Sequence, residues 1–244
     1  TGISESKVNQ YKGEAYFMLG FAYCELTAYY GDCVLNKDMT LDEAYVATRS
    51  PKNEVLAYAL ECLDKAAEYL PNSYKGQQRP TKGAALGFKA RFALFHEDWQ
   101  TAVDAAQKCM DLGVYKLHDN YREMFQATSS PEFMFYFKGD LTLKKGYGFM
   151  ENVRDFVIRK IGGHCNQSPS LELFCSYTCT DGLPIDKSPL YNPKDPFANR
   201  DPRLAMTIQP FKTKYSADYA EYEQSKKDGT FPEKYPDYIT LGYE

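Results

Sequence analysis

The sequence predicts a mainly α-helical fold: a scaffold of antiparallel helix pairs over residues 1–125, followed over 126–244 by a loop-rich, aromatic-rich region. Three observations predict it. Apolar residues recur at helical spacing through the first half. Small residues recur at matched positions in two helix pairs, where helix backbones would approach closely. Beyond residue 139, glycines and prolines break every long periodicity.

The first helix is predicted over residues 8–30, with apolar side chains at 15, 18, 19, 22, 23 and 26, ending at Gly31-Asp32. A loop is expected to residue 50. Ser50-Pro51 then reads as an N-cap with proline at the first helical position, and Pro71 closes that second helix. Thr81 caps a third helix, KGAALGFKARFALF. After the HED turn, where His96 is expected to face solvent, a fourth helix begins at Trp99 and stops at Gly113. Counted from Trp99 as the bulky residue opening a second helix, Ala90, Ala102, Ala106 and Cys109 occupy the small-residue positions of a tetratricopeptide (TPR) repeat. Ala59, Leu63, Ala66 and Pro71 repeat that second-helix spacing, which gives two degenerate TPR units.

Downstream, VYKLHDNYREMF reads as a turn and short helix, with His118 capping or packing in a loop, and PEFMFYFKGD as one strand-like segment near the core. Ser168-Pro169 and Asp201-Pro202 each read as the start of a further short helix. Residues 184–244 hold eight of the 13 prolines and ten aromatic residues, a density of rings that predicts ordered loops rather than a disordered tail.

Composition narrows the function classes. The 244 residues are 43% hydrophobic and 25% charged with a net charge of −4, and no run of Lys or Arg exceeds a pair. Neither a phosphate backbone nor an anionic membrane surface has a matching basic patch, so nucleic acid is not an expected partner. No apolar stretch approaches the length of a membrane span. The chain opens without Met or a signal-like segment and reads as a piece of a longer protein. Of the seven cysteines, Cys24, Cys62 and Cys109 fall on apolar helix faces and read as small hydrophobes. Cys175 and Cys179, with His164-Cys165 upstream, admit a metal-site reading, but without a second paired motif buried thiols are the expectation, and neither a metal nor a cofactor is expected. Nothing in the sequence places paired carboxylates, a nucleophile elbow, a zinc helix or a phosphate-cradling loop, so no enzyme activity is expected.

Several local patterns converge in order: EAYFMLGFAYCELTAYYGD, PTKGAALGFKARFALF with W-x-x-A, LGVYKLHDNYREMF with PEFMFYF, then SPSLELFCSYTCTDGLPI and NRDPRL. Together they resemble the SusD/RagB family over roughly residues 11–208. The most specific pieces are Tyr30-Gly31-Asp32, Thr81-Lys82-Gly83-Ala84-Ala85, Asp181-Gly182 and Arg200-Asp201-Pro202-Arg203-Leu204. The resemblance implies a SusD-like fold and a nutrient-binding lipoprotein of the outer membrane, held at the cell surface by an N-terminal lipidated cysteine that this chain lacks. It implies two partners, an oligosaccharide ligand and a TonB-dependent, SusC-like transporter, and it implies that this chain is a middle segment.

The shared motifs first ask for a structural account. Gly31 and Asp32 end a helix, Thr81 caps one and Lys82 lies along its first turn, while Arg200, Asp201 and Arg203 form an ion-pair and capping node. For a ligand, the expected contributors are Tyr147, Phe149, Asn152 and Arg154 in the glycine-flanked segment KKGYGFMENVRDF, with Arg159, His164 and Asn166 as weaker candidates. A ring face can stack on the C–H face of a pyranose while an amide or guanidinium donates to hydroxyls. The same two rings could instead plug the loop onto the core. A second functional expectation, of another class, is a TPR-type scaffold for protein partners without glycan binding.

Overall fold

The structure is a computed structural model that describes residues 2–74, 79–125, 127–136, 155, 164, 166–208 and 210. Among the described residues it is helical, without strands, and two isolated bridges join Cys33 to Ser50 and Cys179 to Arg200. The chain divides into two compact units, Thr1–Asp119 with Thr128–Phe137, and Asn120–Ala127 with Lys138–Glu244.

In the first unit, α1 (Glu5–Tyr30) starts at Ser4, whose hydroxyl accepts from the Lys7 amide, and stops at Gly31, whose φ of +70° suits a residue without Cβ. Its buried face differs from the predicted one. It runs through Gly13, Phe17, Gly20, Tyr23, Cys24 and Thr27, so that Tyr23 and half-buried Leu19 pack as predicted, whereas Met18 is 52% exposed and Leu26, Ala15 and Ala22 also face out. The reason is the two glycines. A Cβ on Gly20 would lie 2.8 Å from the Ala59 carbonyl oxygen, and one on Gly13 would lie 2.8 Å from Leu70, so the bare backbone of α1 is what admits α3 (Lys52–Tyr69). The contacts pair the start of one helix with the end of the other, so the two run antiparallel. Tyr16 stacks on Tyr69 and Tyr23 meets Tyr58 edge-on.

The loop between α1 and α3 contains an unpredicted helix, α2 (Leu41–Val46), closed by a reciprocal capping box between Thr40 and Glu43. The start of α3 also departs from expectation. Ser50 makes no side-chain cap; its amide donates to the Cys33 carbonyl, and the first-turn amide of Lys52 is instead taken by Asp32 Oδ1 at 2.8 Å. Asp32 is thus a cap supplied from the far end of α1.

Thr81 caps α4 (Lys82–Phe95) through the Ala84 amide at 3.1 Å, and Asp98 caps α5 (Trp99–Asp111) through Thr101. Ala59, Leu63, Ala66, Ala102 and Cys109 are buried as the repeat spacing predicts, Ala90 and Ala106 are half-buried and Pro71 is exposed, while Ala105 joins the buried set. Trp99 does not pack: it is 61% exposed, because the buried face of α5 is carried by small residues. α3 leans on α4 through Lys89 and Asp64. The core centres on Phe17, ringed by Phe21, Phe88 and Phe135 at centroid distances of 5.2–6.4 Å. Phe135 belongs to the segment expected to be strand-like. That segment lies near the core but is irregular, with Lys116 donating to the Pro131 carbonyl and Phe133 to that of Ser130.

Burial pushes the Cys24 thiol up to about 12 and raises those of Cys62 and Cys109, so all three remain protonated packing groups. His96 corrects another expectation. It is half-buried at the end of α4, with Nδ1 enclosed and unpartnered and Nε2 3.5 Å from Thr27 Oγ1. Burial, and secondarily Lys52, lowers its pKa below the usual histidine value. The folded state therefore binds this proton less readily than the unfolded chain. The neutral ring's contribution to stability is complete above the unfolded pKa of about 6.5 and is lost as pH falls below it. Urea denaturation at about pH 7.5 and about pH 5.5 is expected to show lower stability at the acid end, and His96→Gln is expected to reduce that difference. An unchanged difference in the variant would contradict this role.

The second unit contains α6 (Tyr121–Met124), capped by Asn120; α7 (Leu171–Ser176), capped by Ser170 rather than by Ser168; and α8 (Pro202–Thr207), capped by Asp201 with proline in its first turn as predicted. The cap shifts to Ser170 because its hydroxyl reaches the Leu173 amide at 3.1 Å.

Candidate functional site

Tyr147, Phe149, Asn152 and Arg154, with Arg159, lie outside the described residues. What is described is a polar cluster close to them in sequence. The Asp155 carboxylate accepts from the Asn166 amide at 2.9 Å and lies 3.4 Å from His164 Nδ1, while the Gln167 amide donates to the Asp155 carbonyl. Asn166 and His164, the weaker candidates, are therefore engaged with Asp155, and residues 155, 164, 166 and 167 are drawn together.

Most motif residues carried by the family resemblance have a structural role, although Tyr30 is 74% exposed. Gly31 ends α1 and Asp32 starts α3. Thr81 starts α4, where Lys82 occupies the first turn and its amide donates to the Pro71 carbonyl. Asp181 accepts from the Ser188 hydroxyl at 2.7 Å and the Leu183 amide at 3.0 Å, which hold its carboxyl below the usual range, and Gly182 turns the chain with φ +81°. Asp201 caps α8 through the Arg203 amide and pairs with the Arg203 guanidinium, which lowers its pKa. Among the described residues Arg200 has no ion-pair partner. Its guanidinium is buried, donates to the carbonyls of Phe174, Tyr177 and Pro196, and lies over the rings of Phe174 and Tyr191.

The first unit also holds a cleft of about 300 Å³ that the sequence does not single out. It is formed where the connector after α3, the strip after α5 and the irregular 129–136 segment meet, with Asn72, Arg79, Tyr115, Phe133 and Tyr136 among its walls. Tyr115 is fixed by a 2.8 Å hydroxyl pair with Thr81 and by lying on Gly83, where a Cβ would overlap its ring. Arg79 is held by Glu14 at 2.6 Å. The only sequence signal for this cleft is a pair of tyrosines flanking capped helix ends, and it lacks any spacing of its own.

A SusD-like family, described as starch-binding and associating with the outer membrane, matches residues 2–94. The solved structure of a SusD-like carbohydrate-binding protein from Bacteroides fragilis agrees over 84% of this chain and 41% of its own length, with a TM-score of 0.68 at 26% identity. The chain has a SusD-like fold. A second SusD-like protein from Bacteroides fragilis agrees over 84% of this chain and 44% of its own, with a TM-score of 0.63 at 25% identity. The SusD-like protein P2 of Formosa agariphila is 27% identical over 154 residues, 59% of this chain and 30% of that protein. This SusD-like chain thus spans less than half the length of each of these relatives. Its family match takes in α1, α3 and nearly all of α4, the helices that carry or receive the Gly31, Asp32, Thr81 and Lys82 contacts.

Proposed function

We propose that this SusD-like chain is part of a cell-surface protein that captures oligosaccharides or related nutrients and delivers them to a TonB-dependent, SusC-like transporter. The full-length protein would be held to the outer membrane by a lipidated N-terminal cysteine, and its role would be binding rather than catalysis. The observation that carries this reading is the agreement with a SusD-like carbohydrate-binding protein across 84% of the chain. Tyr147, Phe149, Asn152 and Arg154 are the proposed ligand contacts, because they combine two ring faces with planar donors in a glycine-flanked stretch. The expected effect of Tyr147→Ala is about a tenfold loss of affinity for the preferred oligosaccharide with unchanged thermal stability, measured by calorimetric titration and melting. Affinity unchanged in the variant would remove this loop from the site.

One observation favours a second reading, a scaffold for protein partners. Trp99, Val103 and Met110 are exposed at helical spacing on the face of α5 turned away from its buried small residues. Titration with an amphipathic helical peptide separates the two readings: the capture reading expects no saturable peptide binding, and the scaffold reading requires it.

A further inference from the structure

α1 has two apolar faces, and one of them is exposed. Gly13, Phe17, Gly20, Cys24 and Thr27 are buried, whereas Val8, Tyr11, Ala15, Met18, Ala22, Leu26 and Tyr29 are all exposed. At about 100° per residue the exposed set falls within a sector of roughly 80°, on the side of the helix away from Gly13 and Gly20. Its steps of three and four residues are those of a coiled-coil seam. We propose that this outer face of α1 is a self-association surface, on which a second copy of the chain lays its own α1 antiparallel.

The symmetry of the stripe selects a second copy. Reversed and laid against itself about a midpoint near Met18, it sets Val8 against Tyr29, Tyr11 against Leu26 and Ala15 against Ala22. Rings thereby meet aliphatic side chains, and the alanines flank the point where Met18 lies next to its own copy. Small residues there let two helix backbones approach, and the flexible methionine side chain fills the space that remains.

Charge favours the same arrangement. Lys7 and Glu25 are about five whole turns apart and so stand on one edge of the stripe. In an antiparallel pair each edge faces its own counterpart running the other way, which brings Lys7 toward the partner's Glu25. Among the described residues Lys7 bonds to Gln10 Oε1 at 3.1 Å and lies over the Tyr11 ring, with no carboxylate of its own chain beside it. Glu14, on that same edge, is already neutralised by Arg79. The helix dipoles also oppose each other in this arrangement and reinforce each other's repulsion in a parallel one.

The stripe runs about 32 Å along the helix. Two facing stripes bury an area near the low end of the roughly 1,200–2,000 Å² typical of specific interfaces, so the dimer is weak, with a dissociation constant of about 10–100 μM. A dilute chain stays monomeric, and its folding does not depend on the contact.

Sedimentation equilibrium of the 244-residue chain from about 5 to about 500 μM is expected to show monomer passing to dimer and to nothing larger. Met18→Glu, at an exposed helix position, is expected to raise the dissociation constant at least about tenfold and to leave the melting temperature of the dilute chain unchanged. Met18→Lys is expected to do the same. Because Met18 faces its own copy, an equimolar mixture of the two variants is expected to recover dimers. A chain that stays monomeric throughout overturns the proposal, as does association that survives Met18→Glu or fails to return in the mixture. The full-length parent is expected to show the same concentration dependence. A parent that stays monomeric also overturns the proposal, because another stretch of that protein then covers the face. None of these readouts involves a ligand, so they stand or fall apart from glycan capture.

Discussion

Phe17→Ala is expected to destabilise the first unit by about 3–5 kcal/mol, the cost of losing a large, fully buried aromatic side chain and leaving a cavity behind. That is a substantial share of the roughly 5–15 kcal/mol that holds an ordinary domain together. The ring lies among Phe21, Phe88 and Phe135, which come from α1, α4 and the irregular segment respectively, so the loss should not stay local. Phe135 loses its main ring partner, and the amide of Lys116, which donates to Pro131 in the same segment, is expected to exchange faster with solvent. Tyr29→Ala, at a 78% exposed position of the same helix, is the matched control and should change stability by no more than about 0.5 kcal/mol. Denaturant melts of the two variants decide the matter. Similar small effects from both would mean that Phe17 is not the centre of the core.

In the second unit the largest effect is expected from Arg200→Met. Arg200 is 5% exposed and satisfies three backbone carbonyls, those of Phe174, Tyr177 and Pro196, at 2.7–3.0 Å. A methionine fills similar space but donates nothing, so three acceptors lose their donor and the cost is about 3 kcal/mol or more. Its own Nε has no partner, so the side chain is retained for the carbonyls it gathers rather than for complete satisfaction. The Arg200 backbone also bridges to Cys179, and the Asp201 amide donates to the Thr178 carbonyl. Faster hydrogen exchange at Thr180 and Asp201 should therefore accompany the substitution. Arg203→Ala offers the contrast: its pair with Asp201 is exposed and screened, and its loss is expected to be nearly neutral. An Arg200→Met variant as stable as Arg203→Ala would show that the cluster NRDPRL is held by something other than these carbonyl contacts.

These contrasts indicate what a single sequence discloses. The faces of α3, α4 and α5 were legible because small and apolar residues recur at helical spacing, and because Thr81 caps α4 within its own segment. The face of α1 was misread because apolar counting gives weight to Met18 and Leu26 and none to Gly13 and Gly20, although close approach to α3 depends on those positions having no side chain. Ser50 looked like a local cap, but the donor it would have served is taken by Asp32, 20 residues away in sequence, a competition that local patterns do not record. The Thr40 and Glu43 box was legible and overlooked. The proposed ligand contacts at 147–154 rest on residue chemistry alone, while the cleft was invisible for a different reason. Its walls come from three separated stretches around residues 72–81, 114–115 and 129–136, which only folding brings together.

The central claim is that this scaffold serves glycan capture. The most direct measurement is calorimetric titration of the full-length parent protein with an oligosaccharide panel and, in parallel, an amphipathic helical peptide. The account predicts saturable binding of at least one oligosaccharide, weakened by Tyr147→Ala, and no saturable binding of the peptide. Saturable peptide binding without affinity for any oligosaccharide would contradict it.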